Sequence, residues 1–115
     1  EITLQPLKRF NFDAAIIFSD ILMLPYGLKQ NVEFKKNFGP ILGELNLDEV
    51  SQVKEIDFVK RVQQIYEVIK NVSNSNILKD KNTIGFVGAP WTILVYMINQ
   101  KSPKIGPKSF LNSTL

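Results

Sequence analysis

One carboxylate stands out by position. Asp20 closes the stretch Asp13-Ala-Ala-Ile-Ile-Phe-Ser-Asp20, in which Ala14 to Phe18 form an unbroken apolar run between two aspartates. Five apolar residues without polar alternation fit a strand covered on both faces, as in a parallel sheet layered with helices. Sheets of that kind place ligands at the carboxyl ends of their strands, which is where Asp20 falls. Ile21-Leu22-Met23-Leu24-Pro25 follows it, so an ionised Asp20 leaves water for apolar surroundings and needs a partner. The alternative reading is a turn cap, with the carboxylate accepting from a backbone N–H of the next turn. The chain has no His and no Cys. Thiolate nucleophiles, thiolate metal sites and disulfides are therefore excluded, as is the commonest base and metal ligand. Carboxylates, Tyr, Lys, Arg and hydroxyls are left to do any chemistry.

The elements that must position Asp20 can be read from periodicity. Ile2, Leu4, Leu7 and Phe10 recur at helical spacing, with Pro6 and Asn11 bracketing the end of a helix. A first strand is predicted over about 13–19. Residues 21–31, which contain Pro25, Tyr26 and Gly27, read as a loop with one helical turn. Val32-Glu33-Phe34 alternates apolar and charged residues before Gly39-Pro40, which predicts a short hairpin excursion that decorates the main sheet. Asp48 is placed to cap a short helix over Glu49 to Val53. Ile56, Val59, Val62, Ile65, Tyr66, Ile69 and Val72 then predict one long helix over about 57–72, with Asp57 at its start and Lys60, Arg61 and Glu67 off the apolar stripe. Thr83-Ile-Gly-Phe-Val-Gly88 is a second buried strand. Pro90 suits the first turn of a helix. Trp91 to Ile98 is apolar nearly all round, so that helix is expected to be buried, with Trp91 in core packing. Strand, helix, strand implies a crossover and a parallel pair ending at one mouth.

Length and composition set bounds on this reading. The chain has 115 residues, of which 44% are hydrophobic, enough for one small core. A complete barrel of eight strand and helix units takes about 250 residues, so this sequence reads as a piece of one. The net charge of +3 comes from 14 basic and 11 acidic residues. Lys101, Lys104 and Lys108 are spread through a Pro-containing segment instead of forming a basic face interleaved with aromatics, so no nucleic-acid partner is expected. No apolar stretch reaches the ~18 residues of a membrane span, and no signal peptide is apparent. The expected localisation is cytoplasmic, without membrane attachment.

Three groups of residues carry a family resemblance: Leu4-Gln-Pro-Leu-Lys-Arg-Phe10, Asp13-Ala-Ala-Ile-Ile-Phe-Ser-Asp-Ile-Leu22, and Ile84-Gly-Phe-Val-Gly-Ala-Pro-Trp-Thr92 followed by Tyr96-Met97. In order and spacing they resemble the uroporphyrinogen decarboxylases of porphyrin and haem biosynthesis, over about residues 1–98 of an internal segment. The resemblance implies a partial (β/α)8 TIM barrel of α/β class, with two parallel strands, an intervening helix and the hairpin excursion. Residues 99–115 form a divergent tail, because Asn99-Gln-Lys-Ser-Pro-Lys-Ile-Gly-Pro107 stands where the family continues with an acidic residue and glycines.

The implied activity is cofactor-free removal of the acetate carboxyl groups of uroporphyrinogen III to give coproporphyrinogen III, by a full-length homodimer. The 115-residue piece alone is expected to be inactive. By the resemblance Asp20 is catalytic and substrate-binding. Its carboxylate accepts hydrogen bonds from pyrrole N–H groups and stabilises the cationic, protonated pyrrole, the sink that takes up the electron pair released with carbon dioxide. Tyr96 falls on the family's substrate-contacting tyrosine. Its spacing alone equally describes a buried aromatic whose hydroxyl finds a backbone partner. Phe86 is implied to line the apolar edge of the macrocycle. No metal is implied. Arginines that bind the substrate's carboxylates are expected before Glu1, and Ser and His contacts after Leu115. Two alternatives stay open: a non-catalytic remnant or interaction module of the same fold, and a related corrinoid-linked methyltransferase. Thiol-activating members of the latter hold zinc through His and Cys, which this chain lacks.

Overall fold

The structure, a computed structural model, describes residues 2–101. Its elements in order are α1 (Gln5–Arg9), β1 (Ala14–Ile17), α2 (Met23–Gly27), β2 (Val32–Lys35), β3 (Gly39–Leu42), α3 (Leu47–Ser51), α4 (Glu55–Arg61), α5 (Gln63–Ser73), β4 (Asn82–Gly85) and α6 (Pro90–Asn99), with single 3-10 turns at Ile2–Leu4 and Asn76–Leu78. They form two compact units, residues 2–20 with 62–87 and residues 21–61 with 88–101. Most of the expected divergent tail lies outside the described residues.

In the first unit β1 and β4 pair in parallel, with Ala14 opposite Asn82 and Ile17 opposite Gly85. This is the pairing that the strand, helix, strand pattern requires. Lys81 fixes the entry to β4 by donating to Asn11 Oδ1 at 2.9 Å and to the Phe12 carbonyl. Both strands are shorter than the apolar runs suggest, and the ladder stops at Gly85, a residue with little strand preference. Ala15 and Ile17 are buried in a core with Leu7 of α1, Val72 of α5 and Leu78, flanked by Leu4 and Ile77. The expectation that both faces of each strand are covered is corrected. Ile16 and Phe18 are exposed, and so is every residue of β4. The helical layer of α1, α5 and the Asn76–Leu78 turn covers one face of β1, and the sheet has no third strand among the described residues.

The single helix expected over 57–72 is two helices, broken at Val62 (φ −101°, ψ 13°). Periodicity hides the break because Val62 is itself buried and keeps the apolar stripe in phase across the turn. α4 starts at Glu55, with Glu55 and Asp57 in its first turn and Lys60 and Arg61 in its last. That arrangement complements the helix dipole at both ends.

In the second unit β2 and β3 form the expected antiparallel hairpin, with Val32 opposite Leu42 and Lys35 opposite Gly39. The turn is Lys36-Asn37-Phe38, however, and Gly39-Pro40 opens the returning strand. Asn37 has φ 71°, a left-handed conformation that Asn tolerates better than most residues with a Cβ. Pro40 is accommodated because no third strand joins the ribbon: on the far side of β3 the bridge among the described residues falls at Ile41, not at Pro40. The cap of α3 is Asn46, not Asp48. Its Oδ1 accepts from the amides of Asp48 and Glu49, both at 3.1 Å. Asp48 and Glu49 instead occupy the first turn.

Pro90 lies in the first turn of α6, as its sequence predicts. Ile93 and Met97 join Leu22 and Leu42 in a second core, with Ile21, Leu28, Val32, Leu45 and Tyr96 packed against it. α6 is not buried all round. Trp91, expected in the core, is 62% exposed, and Leu94 is exposed as well. No helix among the described residues is long and apolar enough to cross a membrane.

Candidate functional site

Asp20 and Phe86 belong to the first unit. Asp20 lies three positions beyond the last residue of β1 and is half-buried; Phe86 directly follows β4 and is exposed. Because Ile17 is opposite Gly85, both residues leave the parallel pair from the same end. Phe18, two residues before Asp20, meets the Phe86 ring edge to face, with centroids 5.5 Å apart and planes at 63°. A contact of this geometry adds about 0.5–1.5 kcal/mol beyond the area it buries. The alternation of side chains along each strand places Ile16 and Ile84, which are directly opposite one another, on one face, and both are exposed. The parallel pair thus ends in an exposed apolar and aromatic surface, and the segment that leaves β1 there carries Asp20. Among the described residues no group of three or more His, Cys, Asp or Glu side chains could hold a metal ion.

Tyr96 belongs to the second unit. It is half-buried on α6 and packs against the Leu22, Leu42, Ile93 and Met97 core. The end of α6 is fastened by groups that the sequence reading passed over. Gln30 is 4% exposed, and its Nε2 donates both hydrogens, to the Met97 carbonyl at 2.9 Å and to the Gly43 carbonyl at 2.8 Å. Its Oε1 is buried without a donor among the described residues. Leu42 N–H donates to the Gln100 carbonyl at 2.8 Å, and Ile41 bridges to Lys101. The hairpin read as decoration is therefore a clamp on α6.

A second clamp holds the segment that follows Asp20 in sequence. Leu22 and Pro25 are fully buried. Arg61 of α4 donates through Nε to the Tyr26 carbonyl at 3.0 Å, and its guanidinium lies 4.6 Å from the centre of the Tyr26 ring. Gly27 lies close against Phe58, so that a Cβ at this position would run into the ring. In the sequence Arg61 lies off the apolar stripe of its helix, and Gln30 falls unremarked in the loop over 21–31. Only the pairing of distant segments gives either a partner.

Comparison with known proteins gives one consistent result. A family model described as uroporphyrinogen decarboxylase (URO-D) matches residues 1–111. Curated proteins named uroporphyrinogen decarboxylase are similar over 101 residues: one from Rickettsia bellii (strain RML369-C) is 45% identical, one from Rickettsia rickettsii (strain Sheila Smith) 46%, and one from Rickettsia canadensis (strain McKiel) 44%. Each match covers 88% of this chain. The first two cover 29% of the relative and the third 30%, so the chain spans under a third of these relatives' length.

Proposed function

The chain belongs to the uroporphyrinogen decarboxylase family, and we propose that it is a segment of an enzyme converting uroporphyrinogen III to coproporphyrinogen III in porphyrin biosynthesis. In this reading residues 1–98 contribute strands and helices to a (β/α)8 barrel and residues 99–115 are a divergent tail. The barrel is completed by the remainder of a longer polypeptide that acts as a homodimer in the cytoplasm. The absence of Cys suits a reducing compartment.

One observation carries the reading: β1 and β4 run parallel and in register, and Asp20 and the Phe18–Phe86 pair leave from their shared carboxyl end. Sites of parallel α/β folds are built at that end. The roles follow from the chemistry. Loss of carbon dioxide from a ring acetate leaves an electron pair that a protonated pyrrole accepts. Asp20, ionised, accepts hydrogen bonds from pyrrole N–H groups and lowers the energy of the cationic ring that precedes this step. Phe86 lies along the apolar edge of the macrocycle. The Tyr96 hydroxyl donates to a substrate carboxylate.

The test is Asp20→Asn in the full-length protein, a change that keeps the shape and removes the charge. A preorganised contact of this kind is worth ~3–4 kcal/mol, so turnover of uroporphyrinogen should fall roughly a hundred- to thousandfold while the melting temperature is kept. If Asp20 is only a turn cap, Asn substitutes for it with little loss of either quantity. Near-normal turnover in this variant would remove Asp20 from the chemistry.

A further inference from the structure

We propose that Gln30 is a positioning residue for Tyr96, acting through the main chain of α6; this rests on the reading above, in which Tyr96 contacts substrate. The last four carbonyls of a helix have no intrahelical donor, and Met97, two residues from the end of α6, is among them. Beyond the helix the chain turns away through Gln100, which has φ 60° and ψ 8°. The Met97 carbonyl is met instead by the side chain of Gln30, 67 positions away in sequence and almost fully buried. The second hydrogen of the same amide goes to the Gly43 carbonyl, just past β3. One planar group therefore fixes three segments at once: the loop after α2, the exit of the hairpin and the last turn of α6.

Tyr96 is the residue immediately before Met97. Its backbone direction is set by the carbonyl that Gln30 holds, and it packs against the core of Leu22, Leu42, Ile93 and Met97. Loss of the Gln30 donors leaves two carbonyls to find new partners, and the last turn of α6 must shift or fray to supply them. A displacement of about 1 Å in a group that contacts substrate is enough to slow a reaction substantially.

The experiment is a double-mutant cycle in the full-length enzyme, with uroporphyrinogen as substrate and melting temperature recorded alongside. Gln30→Met keeps the size of the side chain and removes both donors; Tyr96→Phe removes the hydroxyl. Gln30→Met should lower kcat/KM about tenfold in the parent and by less than about twofold in the Tyr96→Phe background, the non-additivity expected when one residue acts through the other. Gln30→Glu supplies a readout that does not depend on the Met variant folding well. A protonated Glu retains one O–H donor and an ionised one has none. Activity relative to the parent should therefore fall as pH rises through the titration of that Glu, and this extra pH dependence should vanish in the Tyr96→Phe background. Losses that multiply, or the same pH profile in both backgrounds, overturn the assignment of Gln30 and leave that of Tyr96 standing. Unchanged turnover in Tyr96→Phe removes both. A parent protein that does not consume uroporphyrinogen removes the reading on which they rest.

Discussion

The β1–β4 pair and the β2–β3 hairpin are each two strands of four residues, and they solve the same problem in opposite ways. The hairpin closes locally. Its antiparallel ladder needs only the turn around Asn37, and its exit is then tied down by Gln30, by the Asn31 carbonyl that Gly43 N–H reaches at 2.8 Å, and by Gln100. Leu42, at its end, is 2% exposed. The parallel pair reaches across most of the described chain for its partner and, once formed, has one face of one strand covered. Ile16, Ile84, Phe18 and Phe86 remain in solvent. Parallel sheets normally have both faces layered, whereas the described residues give β1 one covered face and β4 none.

The largest effect expected from this contrast comes from Leu42→Ala. It empties a site packed by Leu22, Ile93 and Met97 and should cost about 2–5 kcal/mol in chemical denaturation. The matching change on the other side is Ile84→Thr. In the 115-residue chain it should move stability by less than about 0.5 kcal/mol and reduce self-association measured by light scattering, since Ile84 is part of an exposed apolar face. Equal losses at the two positions would break the contrast. A smaller effect is expected from Gly27→Ala. Its new methyl group meets the Phe58 ring, which must move, at a cost of about 1–3 kcal/mol on thermal unfolding. The last is a gain. Lys29 has φ 70°, a conformation that glycine adopts without strain, so Lys29→Gly should raise stability by up to ~1 kcal/mol, and a fall would show that the lysine stem packs usefully there.

The parts of this fold that were legible in the sequence depend on local rules. Pro90 fixed the start of α6, the run from Ala14 to Phe18 located β1, and the alternation at Val32-Glu33-Phe34 announced the hairpin. The cap of α3 was misplaced by two residues because Asn46 and Asp48 are equally good cap types, and only backbone geometry chooses between them. The break at Val62 was invisible because burial there continues the stripe. Burial of the two strands was overestimated for a different reason. An apolar run reports what a strand is suited to touch, and the described residues supply those neighbours to β1 on one side only. Of the proposed site residues, Asp20 was legible as the carboxylate closing an apolar run, whereas Phe86 and Tyr96 stand out only through the family motif. Gln30 and Arg61 were not, because their roles are hydrogen bonds to carbonyls 67 and 35 positions away, and carbonyls leave no signature in residue type.

The reach of Lys81 back to Asn11, 70 residues earlier, also sets a timetable for synthesis. A ribosome adding ~5–20 residues per second needs about 4–14 seconds to make the stretch between them, whereas a hairpin closes within microseconds of its second strand becoming available. For those seconds β1 has emerged without its partner, and Ile16, Ile17 and Phe18 are open to whatever binds nascent apolar chain. Partners therefore become available in the order hairpin, parallel pair and then the clamp on α6, which needs Met97 and Gln100, so the strand that leads to Asp20 waits through most of this span for its neighbour.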